Sequence, residues 1–543
     1  MGQIAYRANL SSATYPMTIA DGGRTVIIPG PDNNYDRRVD PTGQQLDAGI
    51  PQALYLENVM PTVNGYQSVG YKTLAALPAP GPTAGGVGAI VVYGHLYLYV
   101  ESGGVPGLFN RFLCLFRGRA SLSNRDVVIS SFNAGTFAWT YGTGAIPYPL
   151  QQSLSTARVR TTTYVFDGTL LYEVDNPSAD VLNFTDVSGT VTGLTLTDVV
   201  CIWSCANYLL AVLKDGTVQW SSTTTPTDFT SSLVSGAGNI TPNDVKLNVK
   251  FVKEAINAFY MYSESGVVLG QYTGNARYPF KFSAVQDSGS YELSSQAFGD
   301  NRSDTQYALD IIGNIRSIRS NETALIAAEL SQLMGKMSKV DELNLTSNVF
   351  SLVTKESLNF NYSNFISRNK ITYLLDRYVA VSYLANGINY FVLFDLATNR
   401  YGKLKVAGDV YTDLKDLYFF GVNQGDVGYQ MSFDIYNTDY TFSCALVLGK
   451  FQYVRSRMMQ MEEIEIEGPQ NTAIIPSPNF SAVLLPSTDG RNFDTPVPLT
   501  SSYLSGGVAK YYTHQTAQNH SLLLKGAFSV NTVQLRFVPG GER

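Results

Sequence analysis

The sequence is poor in charge and in the residues that most often do chemistry. Charged residues make up 15% of the 543 residues, where about 25% is usual in soluble proteins. The chain has 3 His, 3 Trp and 4 Cys, and its net charge is −6. Proteins that grip DNA neutralise its phosphates with clustered Lys and Arg. The charge balance therefore excludes a protein that holds DNA tightly.

The histidines and glycines do not form any pattern typical of a reactive site. His95 lies inside a strand-like run, and His514 and His520 lie in a loop-rich stretch without metal-ligand spacing. The segment AGGVG at 84–88 precedes a strand and not a helix, so it does not form a phosphate cradle. The segment DNNYD at 32–36 lacks the Gly and the distal Glu of a calcium loop.

The sequence therefore predicts no enzyme, no cofactor, and no catalytic, cofactor-binding or metal-ligating residue. One alternative stays open, because glycoside hydrolysis needs only two suitably spaced carboxylates. The chain has 44 Asp and Glu residues from which such a pair could come.

The four cysteines, Cys114, Cys201, Cys205 and Cys444, lie in or beside apolar runs. Cys201 and Cys205 are too far apart for a CxxC motif, and a strand would place both on the same face. We predict four buried free thiols, which need no oxidising compartment.

Long hydrophobic runs and targeting signals are also missing. The most apolar window, GAIVVYGHLYLYV, is too short to span a bilayer. The start MGQIAYRANLSS has no signal region, and Tyr6 stands where a myristoylation signal has Ser or Thr. We expect synthesis in a cytoplasm and no membrane insertion.

What the sequence has in abundance is Tyr, Phe, Gly and turn signals. The 35 Tyr and 27 Phe suit half-buried strands, and Tyr also suits contacts between chains. From about residue 85 to 455, short apolar runs alternate with DG, NG or SG, which are typical of tight hairpins. This pattern predicts an all-β protein.

Two segments look like copies of one unit. Residues 164–188 and 208–232 each contain an apolar strand, DG, a second strand, a Pro (Pro177 or Pro226) and then Phe-Thr beginning at Phe184 or Phe229. The next unit begins near Tyr260. A period of about 40–50 residues with several strands indicates a β-propeller of roughly six to eight blades. A run of hairpins in sandwiches is the alternative.

The chain divides into three predicted parts. Residues 1–84, rich in Pro, Gly, Asn and Asp, form an N-terminal arm or cap that needs other segments to pack on. Residues 85–455 form the propeller-like core, and residues 456–543 form a small C-terminal β-domain. Within the core, residues 321–339 place apolar side chains at helical spacing and predict one inserted helix, covered by the body or by a neighbouring subunit. Its stripe comprises Ile326, Leu330, Leu333, Met334 and Met337.

Three phrases between about residues 56 and 290 form a pattern. The first carries Leu56, Asn58, Val59, Pro61, Gly65 and Gly70. The second carries Trp220, Ser221, Pro226, Asp228 and Phe229. The third carries Gly266, Val267, Gly274, Pro279, Phe280, Phe282 and Gly289. In this order the phrases resemble structural tail proteins of short-tailed bacteriophages, in particular the tail nozzle (tail tubular protein B) and packaged-DNA-stabilising family, although Ser68-Val69 stands in place of the usual Arg-Pro.

The resemblance implies a structural virion protein, found in the viral tail. Six copies would form a ring below the portal and adaptor, through which DNA is retained and ejected without sequence-specific binding. The implied partners are other copies of the chain, the adaptor or upper ring protein, and tail fibre or spike proteins. The alternatives are a propeller-type carbohydrate-binding tail spike or glycosidase, and another head-completion or fibre-attachment protein.

Overall fold

The computed structural model describes about two thirds of the chain. The described residues are 4–9, 19–20, 23–24, 52–63, 65–73, 90–103, 107–119, 126–133, 138–147, 154–178, 181–242, 248–291, 297–299, 305–311, 314–327, 343–344, 349–350, 371–374, 377–385, 388–398, 400–406, 410–412, 420–422, 428–432, 444–451, 458–468, 480–488, 493–505 and 507–539. Nearly all regular structure in them is β-strand, so the all-β prediction is confirmed.

The first half of the chain contains β1 (Ile4–Asn9), β2 (Ile19–Ala20), β3 (Gly23–Arg24), β4 (Gln52–Glu57), β5 (Val59–Pro61), β6 (Tyr66–Ser68), β7 (Gly70–Thr73), β8 (Ile90–Glu101), β9 (Phe109–Arg119), β10 (Asp126–Asn133), β11 (Ala138–Pro147), β12 (Ser155–Val159), β13 (Thr162–Phe166), β14 (Leu171–Ser178), β15 (Val181–Asp186), β16 (Val199–Cys205), β17 (Tyr208–Leu213), β18 (Val218–Trp220), β19 (Gly238–Ile240), β20 (Val249–Ala255), β21 (Ala258–Ser263), β22 (Gly266–Tyr272) and β23 (Phe280–Val285). Two short 3-10 turns, Ser188–Thr190 and Leu196–Asp198, lie between β15 and β16.

The second half contains β24 (Ala297–Gly299), β25 (Gln306–Leu309), β26 (Ile315–Arg319), β27 (Glu322–Ala327), β28 (Leu343–Asn344), β29 (Val349–Phe350), β30 (Ile371–Leu374), β31 (Tyr378–Ala385), β32 (Ile388–Asp395), β33 (Arg400–Val406), β34 (Val410–Thr412), β35 (Phe420–Val422), β36 (Gly428–Ser432), β37 (Ala445–Phe451), β38 (Met459–Glu467), β39 (Ser481–Ser487), β40 (Val497–Leu499), β41 (Ser501–Ser505), β42 (Val508–Ala517), β43 (Asn519–Lys525), β44 (Ser529–Val530) and β45 (Thr532–Pro539).

Four-stranded antiparallel units follow one another along the described parts of the chain. They are β8–β11, β12–β15, β16–β19, β20–β23, β24–β27, β30–β33, and β34–β36 completed by β7. The outer strands of the first two units, β11 and β15, also pair with each other in parallel at Thr143 and Asn183, which joins these units in one eight-stranded sheet. The first strands of successive units lie side by side from β8 to β30, and β34 lies against β8. Units arranged in this way around an axis form a β-propeller. The fold prediction is confirmed, and the described residues contain seven blades.

Because side chains alternate between the two faces of a strand, each blade packs on both of its neighbours. In β16, Trp203 packs on the following blade, whereas Ile202 packs on the preceding blade. The Trp203 and Phe259 ring centroids are 5.0 Å apart across the blade boundary. Cys201 and Cys205 share the Trp203 face, as predicted from their spacing. With Cys444 they are free and buried, and the Cys114 side chain lies outside the described residues.

The repeated unit predicted from the sequence is confirmed in the second and third blades. Gly168 and Gly216 both have positive φ in the turn between the second and third strands, a conformation that glycine adopts freely. Asp167 accepts hydrogen bonds from the turn amides of Thr169 (2.8 Å) and Leu170 (2.7 Å). Phe184 and Phe229 each pack between their own blade and the preceding one.

The predicted helix at 321–339 is wrong at its beginning. Glu322–Ala327 is strand β27, and it pairs with β26 in the register Thr323 to Ile318. Ladder pairing with β26 outweighs the local helical spacing, because helix propensity is a weak preference. The remainder of the predicted stripe, from Leu330 to Met337, lies outside the described residues.

The C-terminal strands form a sandwich of two sheets. One sheet has the order β2-β3-β1-β45-β38-β42-β41, and the other has the order β4-β37-β43-β39-β40. Their inner faces share one apolar core, which includes Leu446, Leu484, Leu522, Ile464 and Leu535. Side chains alternate along strand β38, with Ile464 and Ile466 pointing into this core.

Residues 52–73, which we call the N-terminal staple, connect the sandwich to the propeller. Strand β4 pairs with β37 in the sandwich, β5 with β33, β6 with β44, and β7 with β36. The Tyr378 hydroxyl donates to the Pro61 carbonyl at 2.7 Å, and the Ser68 amide donates to the Phe528 carbonyl at 2.9 Å. Sheets therefore join segments from all three parts predicted from the sequence, 1–84, 85–455 and 456–543.

The staple leaves no room for a side chain at Gly65. A Cβ atom there would lie 1.9 Å from the Val530 carbonyl oxygen, a backbone atom. We expect Gly65→Ala to lower the free energy of unfolding by roughly 2–4 kcal/mol, since the backbone must shift to relieve the overlap. Chemical denaturation measures the loss. Gly189→Ala is the matched control, because nothing lies within 4 Å of its Cβ position. Equal effects of the two substitutions would contradict the close approach.

Candidate functional site

The chemistry-bearing residues named from the sequence do not converge. The segments at 32–36 and 84–88 and the side chain of His95 lie outside the described residues. His514 Nδ1 lies 3.2 Å from Gln460 Nε2 on the sandwich surface, and His520 is buried in the sandwich. Within the described ranges no three His, Cys, Asp or Glu side chains form a group that could hold a metal ion. Nor does any helix formed by those residues have the length and apolar character to cross a membrane.

His520 is a buried imidazole kept neutral by its surroundings. Its Nε2 lies 3.2 Å from the Gln515 carbonyl oxygen, which can accept a hydrogen bond from the neutral ring. Burial disfavours the charged ring and lowers the pKa of His520 from 6.5 to about 4. The protonation of His520 therefore couples the stability of the sandwich to pH.

Three equivalent positions on adjacent first strands bring polar groups to the propeller axis. Arg158 on β12, Ser204 on β16 and Glu254 on β20 each lie shortly before the turn to the second strand. One Glu254 carboxylate oxygen accepts from the Ser204 amide (2.7 Å) and hydroxyl (2.8 Å). The Glu254 side chain reaches solvent, yet its desolvated surroundings raise its pKa despite these bonds and the nearby Lys253 and Arg158.

The same inner edge is bonded to the preceding blade as well. The Ile202 amide donates to the Ser155 hydroxyl oxygen at 3.0 Å. Backbone groups on the inner edge of a propeller have no neighbouring strand in their own blade. Side chains of the two flanking blades thus accept from two amides on the inner edge of β16, those of Ile202 and Ser204.

A cavity of about 400 Å³ lies between the fourth and fifth blades. Its floor is apolar, with Tyr260 and Leu269 buried beneath it. Polar groups at its rim include Gln271 and Lys281, both exposed. The rim carries no arrangement of nucleophile, base and oriented partner from which a reaction could be assigned.

The propeller has two ends that differ in charge. We call face I the end with the turns between first and second strands and between third and fourth strands. Face II is the opposite end. In the described residues 154–327, face I has the exposed basic residues Arg158, Arg160, Arg277, Lys281 and Arg319 against the exposed acids Asp175, Glu254 and Glu322. Face II has the exposed acids Asp186, Asp198, Asp215, Glu264 and Asp287 against one exposed base, Lys214.

Face I also holds most of the strongly exposed large apolar side chains of this region. Leu233 (82% exposed) and Val234 (98%) form the tip of the loop before β19, which we call the apolar tip. Ile256 (69%) lies in the turn after β20, and Tyr278 (65%) lies before β23. Apolar surface gathered on one face is typical of a contact site for another macromolecule.

Sequence reasoning missed this difference between the faces. A signal was available, because the aspartates of the two DG turns in the described blades, Asp167 and Asp215, fall at the same end of the blades. Assigning the bases to the opposite end required the blade register, which places Arg160 and Arg319 at face I.

Comparison with known proteins identifies no family. No family model and no curated protein match the sequence. Among solved structures, the WD40 β-propeller domain of Doa1 is similar, with 9% identity over 67% of this chain and 97% of that chain, at a TM-score of 0.37. BamB from Moraxella catarrhalis has 9% identity over 63% of this chain and 99% of its own, at a TM-score of 0.29. Similarities this loose carry no information on function.

The buried His520 predicts an acid-side loss of stability. Its pKa is lower in the folded chain than in the unfolded chain, so the unfolded chain binds more protons between about pH 4 and 6.5. Its contribution is fully present above pH 6.5 and falls as the pH drops towards 4, by up to about 3 kcal/mol. Denaturant unfolding of the native chain and of His520→Gln across this range measures the difference. An unchanged pH slope in the variant would contradict the assignment.

Proposed function

We propose that this chain is a structural, non-enzymatic subunit of the tail nozzle of a short-tailed bacteriophage. Six copies form a ring below the adaptor, and DNA is retained and ejected along the ring axis. The partners are the other copies, the adaptor ring, and tail fibre or spike proteins. The chain acts in the virion after synthesis in the host cytoplasm.

The observation that carries the proposal is the structural role of the first of the three phrases that resemble tail proteins. Its residues form the N-terminal staple. Asn58 has a positive φ and is fully buried, Pro61 accepts from Tyr378, and Gly65 passes against the backbone of Val530. A conduit must keep its parts in fixed positions while a polymer moves through it. Long-range strand pairing between propeller and sandwich supplies that rigidity.

The second and third phrases also occupy positions that define blades. Trp220 donates from Nε1 to the Gly236 carbonyl oxygen at 2.9 Å, and Asp228 accepts from the Thr192 hydroxyl at 2.8 Å, which holds two loops together. Phe280 packs edge-on against Trp220 with centroids 5.6 Å apart. The residues that carry the resemblance thus serve the frame of the molecule, which is what a structural role requires.

The charge supports passage of DNA without capture. Each phosphate neutralised by Lys or Arg adds salt-dependent affinity, and the chain has a net charge of −6. The basic residues at face I are interspersed with Glu254, Glu322 and exposed apolar side chains. Such a mixed surface suits contact with a protein better than it suits binding along the phosphates of DNA.

Copy number tests the proposal. We expect purified virions to contain six copies of the chain, because a nozzle ring matches a hexameric tail axis. Quantitative mass measurement of intact tails, with the portal protein as an internal reference, gives the number. Three copies together with binding to host polysaccharide would contradict the nozzle and favour a tail spike. Release of sugars by the purified chain would favour a glycosidase. Six copies located at a fibre base would indicate a fibre-attachment protein.

A further inference from the structure

We propose that face I of one copy docks onto face II of the next copy, and that this contact between unlike faces builds the ring. The inference rests on the proposed function, because the ring is its setting. Beyond the ring itself, the inference specifies which surfaces of neighbouring copies meet, the chemistry of their contact and the orientation of successive copies.

Within the described residues 154–327, the charges of the two faces are complementary, and neither face matches itself. Arg277 and Lys281 lie at the end of the fourth blade that forms face I, whereas Asp198 and Glu264 lie at face II. A contact of face I with face I would oppose like charges, at a cost that suppresses that pairing. A contact of face I with face II matches opposite charges. Contacts between two different surfaces are heterologous and generate rings or filaments.

The apolar tip is a preformed contact element. Its Val234 amide donates to the Ser232 hydroxyl oxygen (3.1 Å), and the Ser232 amide donates to the Ala237 carbonyl (3.1 Å). The Trp220 side chain holds the adjacent Gly236 carbonyl. Hydrogen bonds thus fix the backbone while both aliphatic side chains point into solvent. A rigid apolar projection loses little conformational entropy when a partner covers it.

The charges favour a second copy of the chain as the partner that covers face I. Exposed acids at face II, such as Asp198 and Asp215, are present at the same concentration as the basic residues they would meet. Glu264 also lies at face II, where it pairs with Lys250 of its own chain at 2.6 Å. The apolar tip and Tyr278, with Arg277 placed 5.7 Å from its ring centroid, provide the buried centre that charge alone lacks. Aromatic and Arg side chains commonly dominate such centres.

The test uses two full-length double variants. Arg277→Glu with Lys281→Glu reverses face I, and Asp198→Lys with Glu264→Lys reverses face II. We expect each variant alone to assemble about tenfold or more weakly than the native chain in sedimentation velocity at low salt. An equal mixture of the two is expected to regain assembly, because each reversed face then meets a reversed partner. Thermal unfolding of each variant verifies folding.

Matched controls separate the contact from general charge effects. Glu322→Lys also changes face I but makes it more basic, so we expect assembly to be retained or strengthened. Leu233→Ser with Val234→Ser is expected to weaken assembly. Leu325→Ser, an exposed leucine on the outer strand β27, is expected to leave it unchanged.

The outcomes distinguish this inference from the proposed function. If the native chain forms a six-membered ring and both double variants assemble like it, the docking of unlike faces is overturned and the nozzle stands. If the mixture fails to regain assembly while both variants are folded, the docking is overturned as well. Loss of binding to DNA or an anionic polysaccharide in the face I variant, with assembly intact, would assign face I to that polymer instead. A native chain that stays monomeric, from virions with three copies, would overturn both.

Discussion

Packing of one blade's face on the next is the interaction on which the rest of this structure depends. Residues such as Trp203, Phe259 and Tyr260 are nearly inaccessible to solvent in the spaces between blades. Burying each such side chain contributes roughly 1.5–3 kcal/mol, whereas a hydrogen bond of the axial network contributes about 1 kcal/mol net. Apolar packing therefore holds the ring of blades, and the polar groups at the axis fix how the inner edges meet.

The residues at the two ends of the blades can vary, because the stability of the propeller depends on the side chains packed between blades. Turns such as those at Asp167 and Asp215 need only an acceptor for the turn amides and a glycine of positive φ. The remaining positions at both ends face solvent and can carry charge, apolar groups or tyrosine without disturbing the core. The difference between face I and face II is a product of that freedom.

The blades could be predicted from local sequence patterns. Features that depend on contacts between distant parts of the chain could not. The DG turns, the alternation in β16 and the common face of Cys201 and Cys205 all follow from spacing of a few residues. The strand at Glu322–Ala327 was missed because its helical spacing is local and its partner, β26, decides its conformation. The positions of Asn58 and Gly65 could not be foreseen, since Val530 and the sandwich lie hundreds of residues away. The charge difference between the faces needed the register of every blade at once.

The N-terminal staple also determines when the molecule can become complete. Ser68 meets Phe528 across 460 positions of sequence, so this contact cannot form until all the residues between them have been synthesised. Contacts of such separation are formed late and at a large cost in chain entropy. Strand β7 must wait in the same way for β36 before the last blade has its outer strand. A chain cut short between β36 and residue 528 would keep β7 in the last blade but would leave Ser68 without its partner, so that the propeller and the sandwich would lose one of the points at which they are joined.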